Sequence, residues 1–204
     1  MRTSAWNKDF ELDYWKSHND EFHLPRLEQE YIGFGVDAVL NDFIFSKNKT
    51  INIMMDIGGG PYGGVFQFCE FKAKRKVLVD ILCDDYINLG HLPHDMETCT
   101  ADFSKIPFLD NSIDVLFSWA ALDHALSWKH FQEGQAELVR LLAPKGILFL
   151  HIPIRTVPCD ACHILTPDKK EIMEGFSSLD ILDTKKQAPK LFEMQNDINI
   201  ILTK

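Results

Sequence analysis

The chain has 204 residues, enough for one domain with a full hydrophobic core and no need of disulfide or metal staples. Its net charge of −9 excludes a protein that grips long nucleic acid through its phosphates, and 46% hydrophobic residues exclude wholesale disorder. The five cysteines, Cys69, Cys83, Cys99, Cys159 and Cys162, are odd in number and scattered, unlike a secreted disulfide framework.

Residues 1–49 hold Trp6, Phe10, Tyr14, Trp15, Phe22, Tyr31 and Phe34 among many charges. The first stretch has acids and no unbroken apolar run, so it does not read as a signal peptide. Two or three helices are predicted here. One spans roughly Gln29 to Phe45, where Ile32, Val36, Val39, Leu40 and Phe43 follow helical spacing, and a loop over Ser46 to Lys49 closes the block. The aromatics are expected as core for helices packed on a sheet, or as a lid over a ligand.

From residue 50 short apolar runs alternate with helical patterns. Ile51 to Asp56 reads as a buried strand running into a glycine-rich turn. Val65, Phe68, Cys69 and Lys72 predict a short amphipathic helix, and Lys76 to Asp80 a second strand. Ile113 to Ser118 and Ile147 to Ile152 are further strands. Between them lies a helix with Trp128, Phe131, Leu138, Val139 and Leu142 on one face, stopped by Pro144 and Gly146. Thr166-Pro167-Asp168 reads as a helix start, with Thr166 as the cap, and Leu179 to Asp183 and Ile198 to Leu202 as the last strands. Strands alternating with crossover helices predict an α/β domain with a parallel sheet. The longest apolar run, Gly146 to Ile154, is interrupted by His151 and Pro153 and far short of the ~20 residues of a membrane span. A cytoplasmic protein that does not enter membranes is expected.

The sharpest feature is Asp56-Ile57-Gly58-Gly59-Gly60-Pro61-Tyr62-Gly63-Gly64, after a strand and before a predicted helix. Glycines let the backbone turn sharply and approach a ligand without Cβ atoms in the way. Gly58-x-Gly60-x-x-Gly63 also fits a dinucleotide fingerprint. A carboxylate at Asp56 would repel a pyrophosphate, however, and attract an ammonium or sulfonium. Asp80 ends the second strand 22 positions after Gly58, where an acid can accept both hydrogen bonds of a ribose diol.

These segments, with Thr100-Ala101-Asp102-Phe103-Ser104-Lys105-Ile106-Pro107-Phe108, Ser112-Ile113-Asp114-Val115-Leu116-Phe117-Ser118, Ala121-Leu122-Asp123-His124 and Leu142-Ala143-Pro144-Lys145-Gly146-Ile147, resemble the successive motifs of class I S-adenosylmethionine-dependent methyltransferases, in their small-molecule, type 11-like branch. The resemblance runs over residues 51–204. It implies a Rossmann-like three-layer sandwich whose seven-stranded, mostly parallel sheet has its last strand antiparallel, with residues 1–49 as an N-terminal helical cap on a core of residues 50–204. It also implies S-adenosylmethionine as cofactor. Gly58 and Gly60 would curl around its methionine part with Asp56 near the ammonium, and Asp80 would hold the ribose with Ile81 against the adenine. Asp102 would accept from the adenine amino group beside Phe103, and Ser118 and Trp119 would line the methionine side. Pro61-Tyr62 departs from the family's smaller loop residues.

Methyl transfer from a sulfonium needs alignment above all, and a general base only for a protonated acceptor. His124, after the fourth strand, is the first candidate base and His163 the second; His151, inside a strand, reads as a core histidine. Cys159-Asp160-Ala161-Cys162-His163 matches a haem-attachment string, but without an export signal or a second cysteine pair it is read as chance spacing, and no metal is expected. The expected function is methyl transfer to an oxygen or nitrogen of a small acceptor, a sugar or cell-surface precursor among the candidates, with no nucleic-acid substrate. The alternatives are a non-catalytic protein of the same fold and a nicotinamide-dependent oxidoreductase.

Overall fold

The computed structural model describes residues 8–17, 25, 28–29, 31–32, 35–47, 50–89, 92, 96–153, 165–182 and 197–204. In chain order the elements are α1 (Lys8–Ser17), α2 (Val36–Lys47), β1 (Ile53–Ile57), β2 (Arg75–Asp80), α3 (Cys83–Leu89), β3 (Glu97–Thr100), β4 (Ile113–Trp119), α4 (Trp128–Leu141), β5 (Leu142–Pro153), α5 (Lys169–Glu174), β6 (Asp180–Ile181) and β7 (Asp197–Thr203). Single 3₁₀ turns follow β1 (Gly64–Gln67) and β4 (Leu122–His124).

The strands form one sheet in the order β3-β2-β1-β4-β5-β7-β6. β7 runs antiparallel to β5 and β6, while the pairs among β1 to β5 are parallel. Successive residues of each strand face opposite sides. Met55, Ile57, Leu116 and Leu148 therefore pack against Phe131, Leu138 and Leu141 of α4. Met54, Val115, Phe117 and Phe149 pack instead against Val36, Val39, Leu40 and Phe43 of α2. This is the expected three-layer sandwich. Strand order reverses between β1 and β4, which opens a crevice at their carboxyl ends, the place where such sheets take ligands.

Two anchors fix the frame around that crevice. Asp114 at the start of β4 accepts from the amides of Asn52 (2.7 Å) and Ile53 (3.3 Å), tying β1 to β4. Arg140 on α4 donates to the carbonyls of Ile106 and Phe108 and to Asp110 and Glu137, pinning the segment before β4 onto the helix.

The structure corrects several sequence expectations. The segment after the glycine loop is a 3₁₀ turn, Gly64–Gln67, and not an amphipathic helix. The expected helix from Gln29 is broken at Gly35, whose φ of +61° is left-handed; α2 begins at Val36, continues through Lys47, and leaves Ile32 exposed. The last helix is capped by Asp168, not Thr166. Asp168 and Glu171 form a reciprocal capping box, the Asp168 carboxylate accepting from Glu171 N and the Glu171 carboxylate from Asp168 N (both 2.8 Å). Among the described residues, no helix is long and apolar enough to cross a membrane.

Candidate functional site

The glycine loop continues β1 without a break. Gly58 N donates to Val79 O (2.8 Å), and its φ of +74° then turns the chain away from the sheet. A Cβ at Gly58 would lie 2.5 Å from the Ala121 Cβ, so only glycine allows the loops after β1 and β4 to approach this closely. Asp56 lies beneath the loop, fully buried on the sheet face shared with Met54. Its Oδ2 accepts from Val65 N (2.9 Å), and a Cβ at Gly64 would overlap that oxygen. Its Oδ1 has no hydrogen-bond partner among the described residues. Burial pushes the Asp56 carboxyl up to about 7, opposed by the Val65 N–H and assisted by the charge of Asp80. Asp56 thus organises the loop from inside. Tyr62 is buried, and its carbonyl accepts from the Gln67 side chain.

Asp80 ends β2 half-buried. Its Oδ2 accepts from Gly60 N (3.2 Å) and its Oδ1 from Leu82 N (2.9 Å), so one carboxylate joins the glycine loop to the start of α3. Each oxygen keeps a further lone pair for a ligand hydroxyl. Enclosure pushes this carboxyl up to about 6; the two amides and His124 work against that, and Glu11 adds to it. Ile81, next in the chain, is 40% exposed, an uncovered apolar side chain beside the acid.

α1 lies over this end of the sheet. Leu12 and Trp15 pack on Leu78, Leu82 and Tyr86, and Lys8 pairs with Asp85 on α3 (2.8 Å). The Trp15 Nε1 donates to Glu11 Oε1 (3.0 Å), and its ring meets Tyr62 edge-on with centroids 6.2 Å apart. Asp56 and Asp80 therefore bond the glycine loop and its end, and Glu11 acts on Asp80 from α1.

Asp102 follows β3. Its Oδ1 accepts from Ser104 N (2.8 Å), Ser104 Oγ (2.7 Å) and His130 Nε2 (2.9 Å). Burial works to raise its pKa, but the bonds from His130 and Ser104 outweigh it and hold the carboxyl below its ordinary value. Phe103 stacks on the His130 ring, centroids 4.5 Å apart, and packs against the core by Leu122 and Gly134.

At the end of β4, Ser118 is fully buried on the face of Ile57, opposite to Asp56, and its hydroxyl has no hydrogen-bond partner among the described residues. Trp119 is buried and stacked on His151 (5.4 Å), which places His151 within the core. Ala120 takes a left-handed φ of +49°, with its N–H bonded to His151 O, and turns the chain back toward the glycine loop. His124 is half-buried in the following 3₁₀ turn, near enough to Asp80 to favour the ionised form of that carboxyl when the ring carries a proton. His163 and the Cys159–Cys162 pair lie outside the described residues. The fold thus gathers Asp56, Gly58, Gly60, Asp80, Ile81, Ser118 and His124 at the carboxyl ends of β1, β2 and β4, with Asp102 and Phe103 after β3. Sequence reasoning missed Glu11 and His130. The Glu11-to-Trp15 spacing was a readable helical pair, whereas His130 had no local signal.

Residues 55–150 match a family model described as a methyltransferase domain. A solved S-adenosylmethionine-dependent methyltransferase from Clostridium acetobutylicum superposes with a TM-score of 0.61 at 11% identity, over 85% of this chain and 91% of its own. Another, from Archaeoglobus fulgidus, gives 0.59 at 14% identity, over 86% and 94%. The [4+2]-cyclase SpnF gives 0.50 at 18% identity, over 72% and 58%. At these identities the likeness to solved structures is one of fold. No curated protein matches the chain in sequence.

Proposed function

We propose, from the premise that this chain carries a class I S-adenosylmethionine-dependent methyltransferase domain, that it transfers a methyl group to an oxygen or nitrogen of a small-molecule acceptor. The observation that carries the cofactor side of this reading is the pair of carboxylates, Asp56 and Asp80, that bond the glycine loop and its end, with Glu11 acting on Asp80. A carboxylate-lined loop suits a cationic ligand and opposes a pyrophosphate, which weighs against the nicotinamide alternative. The residues fit S-adenosylmethionine. Gly58 and Gly60 present backbone, Asp80 keeps lone pairs for two hydroxyls, and Ile81 offers an exposed apolar side chain where an adenine would rest. Asp102 has its second oxygen for an amino group, and Ser118 an unpartnered hydroxyl on the methionine side.

When bound, the cofactor supplies an electrophilic methyl group on a sulfonium. The protein's part is orientation and exclusion of water, which account for most of the acceleration such a displacement needs. α1 packs over the loop through Trp15, which supports reading the N-terminal helices as a cap on the core. His124 follows β4 at the carboxyl end of the sheet, and we assign it to take a hydroxyl acceptor's proton; His163 is the second candidate. The net charge of −9 favours a small acceptor over nucleic acid, and sugars and small phenols are the first to screen.

The test is side-by-side calorimetric titration with S-adenosylmethionine, S-adenosylhomocysteine and NAD. Binding of the two adenosyl ligands without NAD is expected. Binding of NAD alone would overturn the reading. Because the cyclase SpnF shares the fold, an acceptor screen that gives adenosyl binding but no methylated product would favour a non-methylating protein.

A further inference from the structure

The contact between Asp102 and His130 does work that methyl transfer itself does not ask for. His130 lies in the first turn of α4, where Ser127 caps the helix by accepting from His130 N (3.1 Å). The Leu126 N–H donates into His130 Nδ1 (3.2 Å). A ring nitrogen that accepts from an amide carries no proton, so the proton is on Nε2 and points at Asp102 Oδ1, 2.9 Å away. Phe103 stacks on one face at an interplanar angle of 15°. Phe103 is itself held by close contact with α4, since a Cβ at Gly134 would lie 2.6 Å from its ring. His130 is thus fixed by a hydrogen bond at each nitrogen and by a stacked ring. Asp102 Oδ1, with three donors, is saturated, which leaves Oδ2 as an ionised, oriented acceptor.

We propose that His130 is a positioning residue that sets the base selectivity of the cofactor site, holding Asp102 so that its second oxygen accepts from the exocyclic amino group of adenine and disfavours a 6-oxo purine. This rests on the reading of Asp102 as the adenine acceptor. An oxo group in place of the amino group would set two acceptors face to face, the kind of mismatch that costs most in an enclosed site.

The experiment is titration of S-adenosylhomocysteine and S-inosylhomocysteine into the wild-type chain and the variants H130F, H130Q, H130N and D102A, with a thermal melt of each. The wild type is expected to prefer the adenosyl ligand. H130F keeps the stack on Phe103, loses the donor, and should lower that preference about tenfold, the scale of a hydrogen bond to a charged group. H130Q places an amide donor near the Nε2 position and should restore it. H130N is too short to reach and should behave like H130F, so the test survives if phenylalanine is not tolerated. Unchanged preference in H130F and H130N, with loss in D102A, would overturn the role of His130 and leave that of Asp102. Unchanged preference in D102A would overturn the adenine reading, and the proposal with it.

Discussion

The Trp15 indole lies against Gly60: a Cβ on that glycine would come 3.4 Å from the ring, and the same glycine donates its N–H to Asp80. The N-terminal helix and Asp80 therefore meet at a residue with φ of +68°. Gly60→Ala is expected to weaken adenosyl-ligand binding by roughly 1–2 kcal/mol, the cost of a left-handed non-glycine residue. Adding Trp15→Ala relieves the contact but not the strain, so the double variant should not recover the affinity. Full recovery in calorimetry would show that contact with the cap, and not backbone conformation, is what glycine serves.

Asp80 is both a loop anchor and the proposed ribose acceptor, through the same two oxygens. Asp80→Ala should weaken S-adenosylmethionine binding by roughly 1–3 kcal/mol, the scale of charge-assisted hydrogen bonds lost. Titration with adenosine separates the roles. A ribose acid affects adenosine and the full cofactor alike, while a residue that only shapes the methionine loop affects the cofactor alone.

Asp56 gives a pH dependence with a definite sign. Its folded carboxyl titrates at about 7 against an ordinary 3.8, so between these values the folded state holds a proton that the unfolded chain has lost. Stability from this group therefore falls as pH rises from about 4 to about 7 and is level above, with a limiting slope of about 1.4 kcal/mol per pH unit. Asp56→Asn keeps the acceptor for Val65 N and removes the titration. The variant should gain on the wild type in denaturant midpoint between pH 5 and pH 8. A constant difference over that range would mean the carboxylate is relieved by a partner in solution.

What could be read from the sequence was what depends on neighbours along the chain. The strand–glycine–acid order of Asp56, Gly58 and Asp80 is local geometry, and it stands in the sheet where it was expected. β3 escaped because Glu97-Thr-Cys-Thr is short and largely exposed, with no apolar alternation to reveal it. The helix expected at Val65 failed because Gly63 and Gly64 both take left-handed φ, which leaves a 3₁₀ turn where apolar spacing promised more. Thr166-Pro167 drew attention from the Asp168 and Glu171 pair that caps α5, although that spacing was in plain view. His130 reaches Asp102 across 28 positions, and Glu11 acts on Asp80 from another element; neither relation has a period or motif to announce it.

His124 separates binding from chemistry. It follows β4 in a turn whose start, Ala121, lies against Gly58 of the glycine loop. It lies near Asp80, yet two amides already fix the Asp80 oxygens. Removing the imidazole should therefore leave the cofactor site assembled, and His124→Ala is expected to keep its affinity for S-adenosylmethionine within about twofold. For an acceptor hydroxyl, turnover should fall by about 10²–10⁴, the contribution of a positioned base. For an amine acceptor that arrives deprotonated, turnover should hardly change, because no proton has to leave before attack. Full turnover on a hydroxyl acceptor would exclude His124 as the base, and a parallel loss of affinity would assign it to the ribose side with Asp80.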